Sequence, residues 1–195
     1  MKIINEKGSS MIEVIGVLAF LSTLAVGAYS LIASARSKIQ ITREHQQTKD
    51  IIKAMREQFS AFRPPNTTSA TLYKLGIFDN VEMDESGNPK ENGESSNLMG
   101  HKMEITMPAT GFAEQNPTFK LTYYDVDFKT CVNLLTADWG SDPSSGLVEI
   151  STGGTTFQWP KDYTSGHHPL PPDITTASTE CSRAQTVNVS WEYYF

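Results

Sequence analysis

Residues 14–35, VIGVLAFLSTLAVGAYSLIASA, hold no charged side chain over 22 positions, and a carboxylate, Glu13, stands at their N-terminal edge. A hydrocarbon layer takes roughly 20 helical residues to cross, so this run is long enough to span one. It exceeds the roughly 7–15-residue apolar core of a secretory signal peptide. A carboxylate beside such a run is costly by several kcal/mol unless a partner neutralises it. Glu13 therefore needs an explanation that a plain signal anchor does not supply. The flanking cations, Lys2 and Lys7 before the run and Arg36, Lys38 and Arg43 after it, leave the orientation open.

Past the run the apolar residues thin out but keep helical spacing. Ile41, His45, Thr48, Ile52, Met55, Phe59 and Phe62 step by four or three, the stripe of an amphipathic helix with one buried face. Lys, Arg, Glu, Asp and Gln fill most of the other positions. Arg63-Pro64-Pro65 stops the helix. A helix from about Ser9 to about Phe62 would be about 54 residues, or ~80 Å, long. Its apolar half wants lipid or identical helices, and its amphipathic half wants a sheet. His45 on the stripe reads as a packed or rim histidine rather than a ligand.

The residues just before the run give the segment a specific identity. Lys7-Gly8 precedes Ser9, and Glu13 is the fifth residue counted from Ser9. A short charged leader, a Gly, and a long apolar helix with Glu at its fifth position resemble the class III signal of type IV prepilins. The resemblance implies an α+β pilin ladle fold, with a long N-terminal helix packed on an antiparallel sheet. It implies a leader over 1–8, cut between Gly8 and Ser9 by a prepilin peptidase that then methylates the new N-terminus. It implies a transmembrane and assembly half over 9–36, an amphipathic half over 37–63 and a globular head over 64–195. Glu13 would pair with the N-terminal ammonium of a neighbouring subunit, the two charges compensating in a low-dielectric filament core. The implied partners are other pilin subunits, the peptidase, the inner-membrane assembly machinery and, before assembly, the inner-membrane lipid. No cofactor, metal or nucleic acid is implied, and the product is an extracellular pilus. Ser9 stands where many pilins have Phe, and Ser30 stands where the type IVa subclass has Pro, which favours a type IVb-like subclass. The eight-residue leader is shorter than is usual for that subclass.

The head reads as a chain of short strands. Residues 84–100 are polar and Gly-rich and read as an exposed loop. Strands are predicted over 102–107 and 118–128, the second with a phase slip that carries Val126 and Phe128 inward and so implies a bulge or bend. Residues 147–151 and 155–159 flank Thr152-Gly153-Gly154 as a hairpin. Residues 160–175 are Pro-rich and read as a surface excursion, and 186–194 alternate as a terminal strand.

The two cysteines, Cys131 and Cys181, are either two free core thiols or, in an exported chain, a disulfide. The pilin resemblance implies the disulfide, with Cys131 opening a short helix and Cys181 preceding the last strand. Such a bridge is worth roughly 3–4 kcal/mol on the chain-entropy estimate.

Enzyme signatures are missing from the sequence. There is no phosphate-cradling Gly loop, G-x-S-x-G or H-E-x-x-H. His167-His168 falls in a loop, and Asp125 and Asp127 read as solvated edge charge rather than an acid pair. A net charge of -6 argues against sequence-independent nucleic-acid binding. The expected function is a structural pilus subunit that serves adhesion, aggregation, motility or conjugative contact. The alternatives are a minor pilin, a type II secretion pseudopilin and, in a different class, a signal-anchored periplasmic enzyme.

Overall fold

The computed structural model describes residues 11–59, 67–107, 117–140, 143–159 and 168–195; within the first helix, the side chains of 11–13, 23–28, 30–31, 33–34 and 37 also lie outside the description. The chain divides into a first unit, Met1–Gln40, and a second, Ile41–Phe195. Helix α1, Met11–Phe59, contributes to both. In the first unit α1 contains the whole uncharged run and leaves Val14, Ile15, Val17, Leu18, Phe20 and Leu21 exposed. Among the described residues no helix is long and apolar enough to cross a membrane. The predicted helix end near Phe62, with its Pro-Pro stop, lies outside the described residues.

The second unit is a sheet with helices on it. After α1 come α2 (Ser69–Lys74), β1 (Ser95–Ser96), β2 (Lys102–Thr106), β3 (Thr118–Asp127), α3 (Phe128–Thr136), β4 (Leu147–Thr152), β5 (Thr155–Gln158), β6 (His168–Pro169), α4 (Ile174–Cys181) and β7 (Thr186–Tyr194). Among the described residues the strands form one sheet in the order β1-β2-β3-β7-β4-β5-β6. The expected antiparallel pairing holds throughout except at its last rung, where the two-residue β6 runs parallel to β5. The C-terminal strand β7 sits at the centre, between β3 and β4, so the sheet closes only when the end of the chain is in place.

Alternation decides which side chains meet α1. Phe119, Leu121 and Tyr123 on β3 and Val187, Val189, Trp191 and Tyr193 on β7 are all buried. Ile51, Ile52, Met55 and Phe59 of α1 join the same core. Aromatic pairs tie it together, with Tyr123 against Trp191 at 5.2 Å, Trp139 against Trp191 at 5.0 Å and Phe119 against Phe195 at 5.0 Å. The predicted phase slip in β3 is a register shift between Tyr123 and Val126, with Asp125 at φ 55°. It returns Val126 to the core.

Two sequence readings are corrected here. Phe128 does not continue the strand inward; it starts α3 and is half-exposed, because Asp127 ends β3 as the helix N-cap. The 160–175 excursion is not loop throughout: its start, 160–167, lies outside the described residues, but 168–169 add a strand and Leu170 is buried. Asp173 then caps α4, accepting from the N–H groups of Thr175 and Thr176.

Met55 is fully buried at the centre of the contact between α1 and the sheet. Met55→Ala should destabilise the second unit by about 2–5 kcal/mol, measured by denaturant unfolding of the full chain.

Candidate assembly site

Gly8 and Ser9 lie outside the described residues. Glu13 lies within the α1 backbone with its side chain outside the description. The site that can be built from side chains is therefore the seat of α1 on the head and the disulfide-bonded helix pair beside it.

The seat carries a polar seam as well as an apolar one. The stripe read from the sequence runs through Thr48, Ile52, Met55 and Phe59, all buried, with His45 half-buried. Glu44 and Gln47, which that reading left among the solvated positions, are also buried, Glu44 with no exposed area. Asn97 donates to one Glu44 oxygen from the loop before β2. Gln47 accepts the Leu98 N–H at 2.9 Å and donates to Asp79 at 3.2 Å. Thr48 shares a 2.7 Å hydroxyl contact with Tyr123 on β3 and donates to the Glu44 carbonyl at 2.8 Å. Asn97 also folds its own loop, its side-chain oxygen accepting from the N–H groups of Met99 and His101. The segment expected to be a wholly exposed loop is thus fastened to α1 at Asn97 and Leu98. Nothing in a Glu-x-x-Gln spacing on an otherwise charged helix face announced this, because the partners arrive 32 to 53 residues later.

Burial sets the electrostatics of the seam. Loss of water pushes the Glu44 carboxyl from its ordinary 4.5 up to about 7; the Asn97 amide opposes that shift and the nearby Asp127 adds to it. Among the described residues its second oxygen has no partner. His45 stands edge-on to Trp139 at 4.5 Å. Desolvation, aided by Lys49, pulls the His45 ring below the usual histidine value against the pull of the Asp138 carbonyl. Both observations fit the expected packed histidine rather than a ligand.

Cys131 and Cys181 form a disulfide with their Cα atoms 5.9 Å apart. It joins the first turn of α3 to the last residue of α4, and both sulfurs are buried. Thr152 at the end of β4 lies against it, 3.9 Å from the Cys131 sulfur. The loop it closes contains the β4–β5 hairpin, β6 and α4, so one bond ties that insertion to the sheet. Within α4, Glu180 is buried and accepts from Thr155 at 2.5 Å and Arg183 at 2.7 Å.

Asp125 and Asp127 do not act as a pair. Asp125 sits in the bulge, where its own N–H donates to Asn188 at 3.3 Å. Asp127 caps α3: burial works against its ionisation, but the hydroxyl and N–H of Thr130 and the N–H of Lys129 hold it below the usual carboxylate range. His167 lies outside the described residues and His168 is in β6. Among the described residues no cluster of three or more His, Cys, Asp or Glu could hold a metal ion.

With this geometry in view, the comparisons with known proteins are specific. A family model described as PilS N terminal matches residues 32–193, most of the chain. The chain belongs to that family, the type IVb pilins. A crystal structure of a type IVb pilin from Salmonella typhi is similar at 19% identity and TM-score 0.51, covering 80% of this chain and 98% of that one. At that identity the likeness shows a shared fold. An NMR structure of a type IVb pilin, PilS, from Salmonella typhi aligns at 19% identity and TM-score 0.46, covering 80% of this chain and 95% of that one. No curated protein matches. The pilin is a structural subunit and not an enzyme.

Two measurements check the seam and the bridge. Because folding raises the Glu44 pKa, the folded pilin keeps a proton that the unfolded chain gives up above 4.5. Stability should therefore fall as pH rises from 4.5 to about 7 and level off beyond. Glu44→Gln should flatten that slope and melt above the unmodified pilin at pH values above 7. Alkylation of the exported full chain without reductant should add no mass at Cys131 or Cys181, and full labelling would show the thiols unbridged.

Proposed function

We propose that the pilin is made as an inner-membrane precursor, cut between Gly8 and Ser9, and polymerised through α1 into a surface filament. The observation that carries this reading is the exposed apolar character of α1 in the first unit, over the same uncharged run that Glu13 precedes. A helix with such a surface has no partner of its own and takes lipid before assembly and identical helices after it. Ser9 would carry the new ammonium group. Glu13 of one subunit would neutralise it on the next, so that the need to pair two desolvated charges fixes the axial register. The leader peptidase, which also methylates, and the assembly machinery follow as partners.

The filament serves contact between the cell and a surface or another cell, whether as adhesion, aggregation, motility or mating contact. A pseudopilin reading is supported less well, since the bridged Cys131–Cys181 pair does the stapling that bound calcium supplies in many pseudopilins. A minor pilin that primes assembly shares every feature used here, and abundance in isolated filaments separates it from a major one.

Intact mass and N-terminal sequencing of protein from native membranes should show a start at Ser9 with one added methyl group. An uncut Met1 would overturn the reading. Glu13→Val should give a processed, membrane-held protein that makes no normal filaments; ordinary filaments from that variant would remove the charge-pairing role.

A further inference from the structure

Residues 97–101 are the tip of the hairpin that joins β1 to β2, and the tip leans on α1 at Glu44 and Gln47. It is built as a closed turn. The Asn97 N–H donates to the His101 carbonyl at 2.9 Å and the Gly100 N–H to the Asn97 carbonyl at 3.0 Å. The Asn97 side-chain oxygen takes the N–H groups of Met99 and His101. Its root is short: β1 stands at the end of the sheet, pairs Ser95 with Met103 and Ser96 with Lys102, and is bridged to Val81 at Ser95. Among the described residues two α1 side chains fasten the tip, Glu44 taking the Asn97 amide and Gln47 the Leu98 N–H. A turn with its own bonds and a short root can lift from α1 while the sheet core stays closed.

One of the two fastenings depends on a proton. Glu44 has no exposed area, one amide donor and a second oxygen that is unpartnered among the described residues. A charge in that place lacks the water and the donors that would hold it. Burial raises the carboxyl to about 7, against the Asn97 bond and with help from the like charge of Asp127. The titratable groups around it do not cancel the charge. On α1, Arg43 and Lys49 are exposed and the His45 ring stands against Trp139. On β3, Tyr123 bonds Thr48 and is kept neutral by burial. Asp79 is taken by Gln47, and His101 on the tip acts on Asp127. Among the described residues no cation pairs with Glu44. Thr48 and Tyr123 belong to the helix–sheet core, whereas Asn97 belongs to the hairpin tip, so water reaches the carboxylate at least cost when the tip lifts. The closed form holds the proton more tightly than the open one, and a rise of pH through about 7 favours opening.

We propose that the 97–101 tip is a proton-operated clasp on α1, closed while Glu44 is protonated and lifted when it is ionised. Opening uncovers Glu44 and Gln47 and carries away Leu98, which already stands exposed on the tip. The seat of α1 is kept by Ile51, Ile52, Met55 and Phe59 and by Thr48 against Tyr123. The change is therefore a movement of one hairpin and not an unfolding of the head. It takes place within a single subunit and does not rest on the pilus reading.

The test is residue-resolved amide hydrogen exchange of the full chain in detergent micelles, at about pH 5.5 and about pH 8.5, for the unmodified chain, Glu44→Gln and His101→Gln. The Leu98 N–H reports the contact of tip and helix, and the N–H groups of Leu121 and Trp191 report opening of the sheet. At the higher pH, Leu98 should exchange about tenfold faster in the unmodified chain than in Glu44→Gln, and about a hundredfold faster than Leu121 and Trp191. At the lower pH the Leu98 rates of the two chains should agree. His101→Gln should keep the response of the unmodified chain. The unmodified chain also supplies a check that needs no variant: its Leu98 protection, corrected for base catalysis, should fall with a midpoint near pH 7. Protection that does not change with pH, equal Leu98 exchange in the unmodified chain and Glu44→Gln at the higher pH, Leu98 exchange no faster than that of the sheet, or a response abolished by His101→Gln would each overturn the proposal.

Discussion

The contact between residues 41–59 of α1 and the inner face of the sheet is the constraint on which the second unit depends. Ile51, Ile52, Met55 and Phe59 bury their apolar surface in the same core as Phe119, Leu121, Tyr123, Val189 and Trp191, with Trp139 and Phe195 closing it at the sides. Neither side is stable alone: an isolated helix of that length is marginal in water, and a sheet with one bare aromatic face would associate with other surfaces. Each supplies the other's missing core. The central strand of that sheet, β7, is the last element of the chain, so the seat for α1 is complete only when the two ends of the second unit have met.

Within that contact, geometry is fixed by the polar groups more than by the apolar ones. Apolar packing tolerates sliding by a fraction of a helical turn, whereas a buried hydroxyl or carboxyl tolerates almost none, since a lost hydrogen bond in a dry interior costs about 1–3 kcal/mol. Thr48 against Tyr123 sets the height of α1 on β3, and Glu44 with Gln47 sets the loop of 97–101 beside it. Glu44 is held there at the expense of its usual ionisation. The seam therefore trades some stability near neutral pH for one defined placement of the helix.

The disulfide does a related task at the opposite side of the hairpin. The segment between Cys131 and Cys181 contributes β4 and β5 to the sheet, yet it is long and partly irregular. Closing it in the unfolded chain removes about 4 kcal/mol of conformational freedom on the chain-entropy estimate. Asp127 and Asp173 cap the two bridged helices in the same manner, each accepting from two N–H groups of the first turn. The bridge thus joins two helices whose starts are independently fixed.

Local pattern was enough to read the strands at 102–107 and 118–128, each ending one residue earlier in the structure, and at 186–194, with the hairpin at Gly153-Gly154 and the apolar stripe on α1, because period and turn chemistry are properties of neighbouring residues. The pilin family was legible in Gly8, Ser9 and Glu13, whose spacing does not depend on any distant contact. The burial of Glu44 and Gln47 was not legible, since an acid and an amide on a charged helix look solvated until Asn97, Leu98 and Asp79 are folded against them. Phe128 was misplaced because an aromatic continuing a strand's phase is indistinguishable in sequence from one that begins a helix, and the cap at Asp127 decides between them. The sequence by itself determined which residues alternate, where turns fall and that one helix is apolar at its start. The tertiary structure alone decided the strand order, the seating of α1 on the sheet and which polar side chains leave water, because those depend on contacts between residues far apart in the chain, which no local pattern records.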